Sequence, residues 1–73
     1  MFTFFEKEKL LLENYAIETW KVMQGKFALT KMTGLLYTVE IRKDNVSIYV
    51  VDSNESPLIM PTVKFKAMLE MFR

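Results

Sequence analysis

The feature that most constrains this chain is a stretch of strict alternation, interrupted once by a turn. Leu35, Tyr37, Val39 and Ile41 alternate with Leu36, Thr38, Glu40 and Arg42; after Asp44-Asn45, Val46, Ile48 and Val50 alternate with Ser47, Tyr49 and Val51. A period of two marks strands with one buried face. Asp44-Asn45 suits a tight turn, and a two-residue loop there sets Ile41 opposite Ile48 and Val39 opposite Val50. One face of the hairpin, residues 35–52, is then apolar, while the other carries Thr38, Glu40, Arg42, Ser47 and Tyr49. A three-residue turn would mix the faces, so the pattern specifies the register.

An apolar sheet face needs a cover, and both ends of the chain offer one. Phe4, Phe5, Leu11, Leu12, Tyr15, Ala16, Val22 and Met23 share one arc of a 3.6-residue wheel, interrupted by Glu8 and Thr19. This predicts a helix over 4–23, opened by a Thr3/Glu6 capping box and stopped by a left-handed Gly25. Phe65, Met68, Leu69 and Phe72 repeat the same spacing in a second helix, 62–72, with Thr62 as its N-cap. Short strands are expected at 27–32, where the pattern is weak, and at 58–60. The chain reads as one α+β domain, a three- to four-stranded antiparallel sheet with N- and C-terminal amphipathic helices packed on one face.

Composition then narrows the chemistry. No residue is Cys or His, so there is no disulfide, thiol nucleophile or imidazole base, and any metal site would be all oxygen. Ten basic and nine acidic residues give a net charge of +1, which offers no overall field for nucleic acid or lipid. The longest uncharged stretches, Met32 to Val39 and Ser56 to Val63, are less than half of the roughly 18 residues a membrane span requires. The N-terminal residues lack the basic-then-apolar order of a signal peptide. The expectation is a soluble, cytoplasmic, non-enzymatic protein with no cofactor, no metal and no membrane partner.

Three patterns come close to a site. Asp52, Asn54 and Ser56 occupy the first, third and fifth positions of a calcium loop, but Pro57 and Val63 replace the Gly and Glu it needs. Glu6, Glu8, Glu13 and Glu18 interleave with Lys7, Lys9 and Lys21 as a solvated helix face would. Asn45-Val46-Ser47 matches the glycosylation triplet, in a chain read as intracellular.

The back of the first helix is more informative. Leu10, Ile17 and Trp20, spaced i, i+7, i+10, form a second apolar patch among charged residues. The last helix is apolar almost all round, with Val63, Ala67 and Met71 widening its face. A chain with 51% hydrophobic residues cannot easily bury all of these, since a domain this short hides only about 60% of its unfolded surface. Leu10, Ile17, Trp20 and Met71 are therefore expected to contact a partner protein or a second copy in a homodimer. Six Met residues offer adaptable packing for such a contact. A regulator or inhibitor of the kind viruses and mobile elements encode fits this profile.

The alternative is single-stranded nucleic acid on the polar sheet face, with Arg42 as clamp, Tyr49 as stacking platform and Lys26, Lys31 and Lys43 on phosphates. From Leu35 to Phe72, the order of hairpin, short strand and Thr-capped helix resembles compact single-strand-binding modules of the transcriptional-coactivator type. That resemblance implies the same ligand on the sheet. Glu40 in the middle of the face, Asp52 at its edge and the near-neutral total oppose it.

Overall fold

A computed structural model describes residues 2–72, with side chains from Phe4 onward. The elements run α1 (Phe2–Lys7), a 3-10 turn (Lys9–Leu11), α2 (Leu12–Met23), β1 (Leu29–Thr33), β2 (Tyr37–Arg42), β3 (Asn45–Val50), β4 (Leu58–Pro61) and α3 (Thr62–Phe72). The strands form one antiparallel sheet in the order β1-β2-β3-β4, an α+β meander with the helices on one face.

Val39, Ile41, Val46, Ile48 and Met60 line the covered face and are buried. Against them pack Phe4 and Phe5 of α1, Leu12, Tyr15 and Val22 of α2, and Phe65 and Leu69 of α3. Aromatic rings join the layers. Phe5 stacks on Phe72 at 4.8 Å, and Phe4 meets Tyr37 edge-on at 5.2 Å. Such pairs contribute about 0.5–1.5 kcal/mol each beyond area burial.

The hairpin turns one residue earlier than Asp44-Asn45. Val39 pairs with Ile48, Ile41 with Val46 and Tyr37 with Val50, so Lys43-Asp44 form the loop. The pairing is displaced by two residues from the one expected, and a displacement of two leaves every side chain on its face. Leu35 and Leu36 lie in the β1–β2 turn rather than in a strand, and both are exposed. β1 is shifted C-terminally from 27–32, leaving Phe27 and Ala28 outside it, and β4 extends one residue beyond 58–60.

The expected single helix over 4–23 is broken at Glu8. The amide of Glu8 still bonds the Phe4 carbonyl at 2.9 Å, but its own carbonyl takes the Leu11 amide in a tighter three-residue step. The cause is the Glu8 side chain, which is fully buried and accepts the backbone N–H groups of Leu35, Leu36 and Tyr37, each at 3.1 Å. A carboxylate with three amide donors is a satisfied buried charge. Thr19, the other interruption of the apolar arc, is also buried and donates its hydroxyl to the Tyr15 carbonyl at 2.7 Å.

Helix ends follow local chemistry. Gly25 has φ +81°, and its amide bonds Val22 while that of Lys26 bonds Lys21, the paired closure of a Schellman stop. Thr62 donates its hydroxyl to the Arg42 carbonyl at 2.5 Å and its amide to the Asp44 carbonyl at 3.1 Å. The residue expected to cap α3 thus ties it to the end of β2. α1 already begins at Phe2, so Thr3 stands inside the helix and not at the N-cap of the expected capping box, and its side chain lies outside those described.

Candidate interaction surface

α2 and α3 lie side by side on the sheet, and their buried stripes leave a groove between them. In α2, Leu12, Tyr15, Thr19 and Val22 point inward, so Ile17 and Trp20 face away. In α3, Thr62, Phe65 and Leu69 are buried, which leaves Val63 exposed on the opposite flank. Ala16, Ile17 and Trp20 face Lys66 and Glu70 across one end of the groove; Met23, Val63 and Ala67 share the same two charged residues at the other. Both ends are open and shallow, without the enclosure a small-molecule site requires.

Trp20 is 48% exposed, Ile17 45% and Val63 65%. The rim is charge-balanced, because Lys66 pairs with Glu70 at 3.6 Å. The Lys26 ammonium stands 5.0 Å from the centre of the Trp20 ring, within cation–π range. An apolar floor with a neutral polar rim has the anatomy of a protein-binding patch.

Of the four residues expected to contact a partner, the fold brings Ile17 and Trp20 together. Leu10 and Met71 are more exposed, at 90% and 74%, but line neither end of the groove. Leu10 sits in the 3-10 turn, where the 100° step that aligned it with Ile17 and Trp20 no longer holds. Lys66, Glu70 and Met23 belong to the groove and were not foreseen; only pairing α2 with α3 places them there.

The outer sheet face is organised around Glu40. Its carboxylate accepts the Arg42 guanidinium at 2.9 Å and the Tyr49 hydroxyl at 3.4 Å, and Arg42 also reaches the buried Ser47 hydroxyl at 3.5 Å. Lys31 pairs directly across from Glu40 on β1. Arg42, Tyr49 and Lys31 therefore share one face around a carboxylate, while Lys26 lies against Trp20 on the helical side and Lys43 stands in the β2–β3 turn. The five residues do not converge on one track.

One buried polar group stands apart. The Tyr15 hydroxyl has no hydrogen-bond partner among the described residues. Burial, and secondarily the negative charge of Glu8, push its pKa up to about 12. The loop at Asp52–Ser56 is closed by the Ser53 hydroxyl, which accepts the Glu55 amide at 3.1 Å. Among the described residues no three Asp or Glu gather to hold a metal, and no helix is long and apolar enough to cross a membrane.

No family model, curated protein or solved structure matches this chain.

Proposed function

We propose that this chain is a small non-enzymatic interaction protein that buries the α2–α3 groove against another polypeptide, with Trp20 and Ile17 as anchors and Val63 extending the contact. The observation that carries this reading is the half-exposed Trp20 beside Ile17, on helices whose other faces are already packed on the core. Large apolar anchors ringed by neutral polar residues concentrate binding energy in known interfaces. A regulator or inhibitor acting by occupying its partner's surface needs nothing more.

The test combines light scattering over a concentration series with affinity capture, using the full chain and an Ile17→Ser/Trp20→Ala variant checked for unchanged circular dichroism. The reading expects a complex, with a second copy or a captured protein, that the variant weakens at least tenfold. Equal complexes from both proteins, or a monomer that captures nothing, would overturn it.

A further inference from the structure

The two edges of the sheet offer different things to an incoming strand. The Gly34 amide bonds the Tyr37 carbonyl at 2.8 Å, and these two residues continue the β1–β2 register. Bonded and non-bonded pairs alternate along an antiparallel ladder, so β1 turns Thr30 and Met32 toward β2 and points the amides and carbonyls of Leu29, Lys31 and Thr33 outward. At the other edge, the Thr62 amide on the Asp44 carbonyl continues the β3–β4 register, so Leu58 and Met60 bond β3 while Ile59 and Pro61 face out. Pro61 has no N–H, and Pro57 precedes the strand. Ile59 is the single outward donor of β4, an edge blunted by proline as natural sheets require. β1 has no proline, and Leu29, Lys31 and Thr33 are exposed.

Side chains around β1 say what kind of strand would fit. On the helical side, Ile17 of α2 and Met32 flank an open cleft that also holds Asn14, Glu18 and Thr30. On the outer side, Lys31 stands opposite Glu40, which already holds Arg42 and Tyr49. If a second copy paired along the whole of β1, Leu29 would meet Thr33 and the two Lys31 ammonium groups would face each other at the centre. Like charges directly opposite are destabilising, whereas a carboxylate there is favourable.

We propose that the β1 edge docks an extended segment of a different protein, added antiparallel, with Asp or Glu opposite Lys31 and apolar residues before and after it lying over Met32 and Ile17. This surface is distinct from the α2–α3 groove and shares only Ile17 with it, so either reading can fail alone.

The test selects a phage-displayed library of random dodecapeptides against the full chain and synthesises the strongest binder. The expected result is an apolar-acidic-apolar core, slowed hydrogen exchange at the Leu29, Lys31 and Thr33 amides on binding, and at least a tenfold loss of affinity in Lys31→Pro. That substitution removes an outward N–H and leaves the bonds to β2 in place. Ile59→Pro and Trp20→Ala should bind as the parent does. Lys31→Glu, which keeps the backbone donor, should shift the selected centre from acidic to basic. An empty selection, protection at other amides, a Lys31→Pro variant of parental affinity, or β1 amides protected by raising the concentration of the chain alone would each overturn the proposal.

Discussion

Gly34 lies so close to Glu8 that a Cβ built on it would stand 2.5 Å from the carboxylate Oε1. The glycine is required by space, since the β1–β2 turn wraps its amides around a side chain from the other end of the chain. Gly34→Ala should force that carboxylate away from its donors and cost roughly 2 kcal/mol. A drop in thermal midpoint of about 8 °C or more checks it.

Glu8 itself should matter more than any other charged residue. Glu8→Ala leaves three partly buried amides without their acceptor, a loss of about 2–3 kcal/mol. Glu8→Gln keeps one acceptor oxygen but sets an amide group against a donor, so it should fall between parent and Ala. Urea denaturation of the three proteins gives the order directly, and an Ala variant as stable as the parent would refute the bond network.

Tyr15 predicts an alkaline limit to stability. Its folded pKa is raised from 10 to about 12, so the folded state holds the phenolic proton more tightly than the unfolded state does. Its contribution is intact below about pH 10 and is lost as pH rises toward 12. The loss is on the order of 2–3 kcal/mol across that window. Tyr15→Phe also removes a buried hydroxyl that has no hydrogen-bond partner among the described residues, so it should be at least as stable at pH 7 and flatter above pH 10. Denaturant midpoints measured at pH 7, 10 and 11.5 test both statements.

Thr62→Val should cost about 1–2 kcal/mol, because it strips the hydroxyl that holds the start of α3 to the Arg42 carbonyl and leaves that oxygen short of a donor. Thr62→Ser should recover most of the loss. Chemical denaturation of the pair distinguishes the hydrogen bond from simple packing.

The outer sheet face should bind single-stranded nucleic acid poorly. Arg42 and Tyr49 are held by Glu40, and Lys26 and Lys43 lie elsewhere. Titrating a fifteen-residue oligothymidine at low salt should leave the Tyr and Trp fluorescence unchanged. Tight binding that weakens steeply with salt would favour the nucleic-acid reading instead.

Much of the fold was legible because period and burial coincide. Val39, Ile41, Val46 and Ile48 alternate in sequence and are all buried on one face, and the face survived even though the turn moved to Lys43-Asp44. What escaped were interactions between distant segments. Glu8 and Thr19 read as flaws in an apolar stripe, yet both are buried; Glu8 finds its donors 27 to 29 residues away. Helical periodicity carries no information about such a partner, and so the break after Lys7 and the displacement of Leu10 were invisible. The patch was legible at Ile17 and Trp20, which lie within the unbroken α2. Its far wall, Lys66 and Glu70, depends on how two helices pack.

The most direct test of the account places the photo-crosslinker benzoylphenylalanine at position 20 of the full chain and irradiates it in an extract of its native host. The account predicts a defined covalent adduct with a polypeptide, abolished by Ile17→Ser and absent when the crosslinker is moved to Lys64 on α3. No adduct at position 20, or the same adducts from both positions, would contradict it.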